Sequence, residues 1–214
     1  MLIYIVRHGE TDLNRQGVMQ GWLDEPLNEN GVLLAELTGR GMQGIRFDAC
    51  VSSPLCRARE TARLVLAESG NGDVPIVTDE RLKELGFGDC EGMRVDQWPL
   101  PYAQAQKIFT DTFAFGGLPN AETISALCAR TWDFLDELIA RDDDRTWLVA
   151  THGCALRAML NRFYDDPRDF WQGQTPPNCA VNILEARNGQ ARLIAQDRLY
   201  YDEQYRPEST YLLK

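Results

Sequence analysis

The chain has 214 residues, 44% hydrophobic and 25% charged, which is enough to bury the core of one globular domain over 1–214. Its 22 Lys and Arg against 32 Asp and Glu give a formal charge of −10, which repels nucleic-acid backbones and anionic membrane surfaces. Neither is an expected partner, and a small anionic substrate would have to be captured by a local cluster of arginines rather than by the overall field.

In chain order, the continuous apolar run Leu2 to Val6 reads as a strand buried on both faces, as in a parallel sheet, and it delivers Arg7 and His8 at its carboxyl end. Asn28 caps an expected helix carrying Leu33, Leu34 and Leu37, ending near Gly39 to Gly44. A short strand from about Asp48 to Ser52 follows, then a helix with Ser53 as cap, Pro54 as first residue and Leu55, Ala58, Ala62, Val65 and Leu66 turned inward. Pro75 to Val77 suggests a third strand, and Leu82 to Gly92 is a glycine-rich shaped loop. From Gln97 to Gly117 runs an aromatic segment of partly helical character, followed by the clearest helix, Glu122 to Arg141. Thr146 to Ala150 is another buried strand, feeding His152 into a helix that opens at Gly153. Strands near Ala180 to Ala186 and Ala191 to Ala195 are joined by Asn188-Gly189, a strong hairpin signal.

Strands alternating with helices imply a three-layer α/β/α sandwich with a mainly parallel sheet and helices on both faces. In such sheets ligands bind beyond the carboxyl ends of the strands, so the two His-Gly pairs, His8-Gly9 and His152-Gly153, can meet there although they are far apart in sequence. The six cysteines (Cys50, Cys56, Cys90, Cys128, Cys154, Cys179) contain no Cys-x-x-Cys pair, which argues against a zinc site or a disulfide framework and for buried free thiols. The apolar start lacks the basic leader of a signal peptide, and no stretch approaches the ~20 apolar residues that span a bilayer. A reducing cytoplasm is the expected compartment.

Histidine is a good nucleophile and proton carrier near neutral pH. Arg7 offers a planar fork of donors suited to phosphate, while Gly9 would let backbone approach a bulky anion and would accept the His8 Nδ1 proton, leaving Nε2 as nucleophile. Arg57 sits at the start of a helix after a strand end, where side chain and helix terminus both present positive charge; Arg59 reads as a solvated face. Glu84, ahead of Gly86, Gly88 and Gly92, and Glu10 are competing carboxylates for proton donation, and the residue types alone leave both open. The run Asp142 to Asp144 reads as a solvated helix end.

Taken in order, Arg7-His8-Gly9-Glu10-Thr11, Gly21-Trp22-x-Asp24-x-Pro26-Leu27, Ser52-Ser53-Pro54-Leu55-x-Arg57-Ala58, Glu84 ahead of Glu91-Gly92, and His152-Gly153 resemble the histidine phosphatase superfamily, in its phosphoglycerate-mutase-like branch. The resemblance implies an α/β sandwich in which His8 is transiently phosphorylated, Arg7, Arg57 and His152 bind the transferring phosphoryl group, and Glu84 is the proton donor. It further implies phosphate or substrate contacts for Asn14, Gln20, Gly21 and Gly153, and needs no metal or cofactor. Trp22 and Pro26 are expected to pack a covering loop.

Mutases of this kind carry a longer insert after the acid, with adjacent arginines for a substrate carboxylate. Here Gly92 to Asn120 has only Arg94 and Lys107, so a phosphomonoesterase of a small phosphorylated metabolite is expected, with residues of about 86–120 forming a lid that sets specificity. The alternatives are a cofactor-dependent phosphoglycerate mutase, an α-ribazole phosphatase, or a binding domain that has lost catalysis. The aromatic insert would either suit a leaving group of apolar or ring character or simply pack the lid, Glu122 is a helix-start carboxylate or a secondary site residue, and a homodimer is left open.

Overall fold

The computed structural model describes residues 1–207; the last part of the expected 1–214 domain, 208–214, lies outside the described residues. The chain begins with β1 (Leu2–Arg7), a one-turn α1 (Asp12–Arg15) and a short β2 (Val18–Met19). Next come α2 (Glu29–Gly41), β3 (Ala49–Ser52), α3 (Cys56–Glu68), β4 (Ile76–Thr78) and β5 (Met93–Arg94). The insert holds two single-turn helices, α4 (Tyr102–Ala105) and α5 (Lys107–Thr110). The chain continues through α6 (Ile124–Ile139), β6 (Thr146–Thr151), α7 (Gly153–Leu160), β7 (Val181–Arg187) and β8 (Gln190–Arg198).

The central sheet has the order β4-β3-β6-β1-β7-β8. Its first four strands are parallel, and β7 and β8 are added antiparallel. Asn188 and Gly189 both take positive φ, 53° and 70°, the backbone that a two-residue hairpin turn between twisted strands requires. The α/β sandwich anticipated from the sequence is therefore observed, with its antiparallel strands confined to one edge.

Residues of β1 alternate between two cores. Ile3 and Ile5 pack with Trp147 and Val149 against Phe134 and Leu135 of α6 and Leu156 and Met159 of α7. Tyr4 and Val6 face the other way, with Cys50 and Leu148, toward Ala58, Ala62 and Val65 of α3. Period-two alternation with both faces apolar is what makes β1 a continuous hydrophobic run, and full burial of each such side chain contributes about 1.5–3 kcal/mol.

Several local expectations are revised. Helix α3 starts at Cys56 with Leu55 at the capping position, so Ser53 is not its cap and Pro54 is not its first residue. The first amide, Cys56 N–H, instead donates to Asp24 Oδ1 at 2.6 Å, so a residue distant in sequence takes the capping role and Ser53 is free for other work. Helix α6 starts at Ile124, with Thr123 Oγ1 accepting from Ala126 N–H, which leaves Glu122 outside the helix. Gly9 does not open space for an anion: a Cβ there would meet Gly31 O of α2 at 2.5 Å, so its role is close backbone packing. The sequence also gave no hint of the ribbon pairing β2 with β5, which fixes Gln20 and Gly21 beside the insert.

Candidate active site

Register brings the site together. Arg7 pairs with Thr151 across β1 and β6, and Ser52 pairs with Ala150 across β3 and β6, so these strands end almost level. The next residues continue the row, with His8 N–H donating to Thr151 O and Ser53 N–H to Ala150 O, both at 2.9 Å. Thus His8, His152 and Ser53 emerge side by side from adjacent parallel strands, in the crevice where such sheets bind ligands.

His8 is buried, and its Nδ1 lies 2.7 Å from Gly9 O. A carbonyl only accepts, so Nδ1 carries the proton and the lone pair of the neutral ring sits on Nε2. Burial, then the Arg57 and Arg7 guanidinium groups, hold the imidazole pKa well below 6.5, against the weaker opposing effect of the Gly9 bond. The ring is therefore neutral and nucleophilic at pH 7. Asn178 Nδ2 donates to His8 O at 3.0 Å, and Tyr201 Oη donates to Asn178 O at 2.7 Å, anchoring the residue from behind.

His152 is fully buried, with its ring centroid 5.1 Å from that of His8. Its Nε2 is 2.8 Å from Ser53 Oγ, which also accepts from Leu55 N–H. The other ring nitrogen, Nδ1, is buried with no hydrogen-bond partner among the described residues. Burial, Arg57 and the neighbouring His8 also hold His152 well below 6.5.

Arg7 and Arg57 line the same pocket as His8. Arg7 Nη1 donates to Pro176 O, while its Nε is buried with no partner among the described residues. Arg57 is fully buried and donates to Leu23 O at 2.6 Å and Gly21 O at 2.8 Å, so it also pins the loop that carries Gln20. Glu84 faces these cations, with its carboxyl group accepting from Cys154 N–H and Ala155 N–H at the amino end of α7, at 3.2 and 3.1 Å. Arg130 of α6 donates to Glu84 O at 2.8 Å and to the carbonyls of Arg81 and Lys83, and Glu122 pairs with Arg130 at 2.7 Å. Glu122 is thus a buttress of the Glu84 loop. Trp22 Nε1 donates to the same Glu84 carbonyl at 2.8 Å, consistent with its expected packing over that loop.

Asn14, Gln20, Gly21 and Gly153 all line the pocket. Asn14 completes the capping box of α1 with Thr11, while Gln20 Oε1 is a buried acceptor without a partner among the described residues. Gly153 begins α7, and a Cβ there would make ordinary contacts of 3.6–3.7 Å with Arg7 and Glu84. Glu10, the rival acid, lies outside this lining: its carboxylate accepts from Asn28 and Asn30 and serves the start of α2. Sequence reasoning missed Ser53, Arg130, Asn178 and Trp171. Of these only Ser53 carried a signal, as the residue directly after a strand that ends beside β6.

The pocket encloses about 430 Å³ including its open mouth, and its far wall is apolar, formed by Met19, Phe87, Phe109 and Trp171. Cys154 also reaches it, but burial and then Glu84 push its thiol far above the usual range, so it is not a thiolate at neutral pH. Two neutral histidines, two guanidinium groups and one facing carboxyl group suit transfer of an anionic group to nitrogen.

A family model described as histidine phosphatase superfamily (branch 1) matches residues 3–197. The chain belongs to that superfamily. It is 33% identical over 165 residues to a 2,3-bisphosphoglycerate-dependent phosphoglycerate mutase of Methylobacterium sp. (strain 4-46), covering 74% of this chain and 78% of the relative. It is 32% identical over 181 residues to the uncharacterized phosphatase PhoE of Bacillus subtilis (strain 168), covering 85% and 86%. Among solved structures, Bacillus stearothermophilus YhfR superposes with a TM-score of 0.83 at 29% identity, covering 92% of this chain and 96% of that one. Members named mutase and phosphatase are both similar to this chain, so the superfamily does not by itself divide the two activities. Among the described residues no helix is long and apolar enough to cross a membrane.

Proposed function

We propose that this chain is a phosphomonoesterase that hydrolyses a small phosphorylated metabolite through a phosphohistidine on His8, with no metal ion taking part. The observation that carries this reading is a neutral His8, its Nε2 lone pair fixed by the Gly9 bond, beside a buried Arg7 whose Nε has no partner of its own. A buried orphan donor next to a nucleophile is satisfied by an anionic oxygen of the substrate.

In the first step His8 Nε2 attacks phosphorus while the ester P–O bond breaks, and the Glu84 carboxyl group delivers a proton to the leaving oxygen. In the second, Glu84 takes a proton from a water molecule as that water attacks phosphorus and the P–N bond breaks, which restores His8 and releases inorganic phosphate. Arg7 and Arg57 stabilise the charge spread over the equatorial oxygens, the main requirement of phosphoryl transfer. His152, with its ring 5.1 Å from that of His8, is placed to support the same group.

Hydrolysis is favoured over mutase action by the charge of the lining. A mutase must hold a carboxylate-bearing acceptor while it returns the phosphoryl group, yet among the described residues the only cations lining the pocket are Arg7 and Arg57. Arg94 of the insert turns outward to Asp96. The test is to quench turnover of a phosphomonoester and look for acid-labile, base-stable phosphate on the protein. His8→Ala should abolish the adduct and lower kcat/KM by at least about 10⁴-fold, the scale expected for loss of a covalent nucleophile. A variant that keeps substantial turnover would overturn the mechanism. With 3-phosphoglycerate and a bisphosphoglycerate primer, isomerisation faster than phosphate release would establish the mutase instead.

A further inference from the structure

We infer, on the basis of the phosphomonoesterase reading above, that the alcohol released by this enzyme is uncharged and apolar with ring character, and that Phe109 and Trp171 select it. The pocket has two unlike sides. One is the strand-end side with His8, Arg7 and Arg57; the other is the wall of Met19, Phe87, Phe109 and Trp171. A phosphoryl group bound at the first places its alcohol against the second.

The rings of that wall are fixed before any ligand arrives. Trp171 Nε1 donates to Ile108 O at 2.7 Å, so the indole spends its one polar group on the insert and presents only an apolar surface to the pocket. Its ring lies 5.8 Å from that of Phe109, inclined at 45°, and 5.3 Å from Phe170 in an edge-on contact. Preorganised aromatic surfaces favour planar or cyclic apolar groups without further ordering cost.

Charge points the same way. Among the described residues the cations lining the pocket are Arg7 and Arg57, both on the strand-end side, while Arg130 is committed to Glu122 and the Glu84 loop. A carboxylate on the leaving group would rest on hydrocarbon beside Glu84, and among the described residues no cation besides Arg7 and Arg57 lines the pocket to offset its desolvation. The wall therefore rejects phosphorylated hydroxy acids as well as accepting apolar alcohols.

The experiment pairs binding with turnover. Calorimetry with non-hydrolysable benzylphosphonate and 2-carboxyethylphosphonate should show the benzyl compound binding at least about tenfold tighter, the discrimination expected of an apolar pocket. Benzyl phosphate and glycerol 3-phosphate, whose alcohols leave with similar difficulty, should differ in kcat/KM in the same direction. In Phe109→Ala the benzyl-to-glycerol ratio of kcat/KM should fall about tenfold, with Phe109→Leu between; a purely structural role would depress both substrates equally. Equal or tighter binding of the carboxylate compound, or an unchanged ratio in Phe109→Ala, overturns the inference while leaving the phosphatase intact. Benzylphosphonate selectivity without hydrolysis of either ester overturns the phosphatase and leaves the selectivity of the wall standing.

Discussion

The two sides of the pocket are built by different means. The charged side comes from the ends of β1, β3 and β6, where backbone pairing at Arg7, Thr151 and Ala150 sets the position of each reactive residue. The apolar wall comes from a two-residue strand, a glycine-rich loop, a single-turn helix and the irregular chain after α7. Chemistry placed on a paired sheet is held by many backbone hydrogen bonds, whereas selectivity placed on connecting segments can change without disturbing them. The contrast predicts that damage to the first side removes turnover and damage to the second redirects it.

The strongest way to break that contrast is to remove charge at the strand ends. Arg57→Met should lower kcat/KM for every phosphomonoester by about 10²–10³-fold, as expected for one preorganised donor to a charged transition state. A substrate-dependent loss, read from a panel of esters, would move Arg57 to the selective side. Glu84→Gln should cost about 10²-fold with alkyl esters and far less with nitrophenyl phosphate, whose leaving group departs without a proton. Equal losses on both would take proton donation away from Glu84.

The supports of the charged side can be tested through stability. A Cβ on Gly31 would lie 2.0 Å from Glu10 O, so Gly31→Ala must push α2 away from the loop after β1. We expect a loss of about 1–3 kcal/mol, measured by denaturant unfolding, together with reduced turnover. An unaltered midpoint would show that this contact is not holding the loop.

The smallest and most diagnostic effect concerns protons. Burial keeps His8 and His152 below 6.5 in the folded state, so the unfolded chain binds more protons as the pH drops past that value. Their contribution to stability is complete above about 6.5 and is lost progressively below it. The Tm should fall on acidification, and His8→Asn should shrink the fall. For the same reason kcat/KM should show no acid limb centred near 6.5 arising from His8. A limb there that disappears on altering no other group would mean that His8 titrates freely.

Legibility in the sequence followed locality. The β1 run, the Asn28 cap and the Asn188-Gly189 turn are encoded within a few residues, and each forms where the pattern says. The tautomer of His8 was legible for the same reason, since its partner is the next residue. The start of α3 was misread because Asp24, across a loop, supplies what Ser53 was expected to supply. Arg130 reads as one more polar residue on an amphipathic helix until the fold brings three carbonyls and Glu122 to it. Trp171 carries no motif at all; its place depends on Ile108, 63 positions away. His152 was assigned to the phosphate by resemblance, and β6, ending beside β1, brings its ring 5.1 Å from that of His8.

The bond from Trp171 to Ile108 has an engineering consequence. It staples two segments that are otherwise separate in the chain, so neither can be replaced alone. Transplanting the insert from a relative would strand a buried indole N–H at a cost of about 1–3 kcal/mol unless the new backbone offers a carbonyl at the same point. New specificities on this scaffold would have to be exchanged as matched pairs, residues of about 86–120 together with the stretch that follows α7.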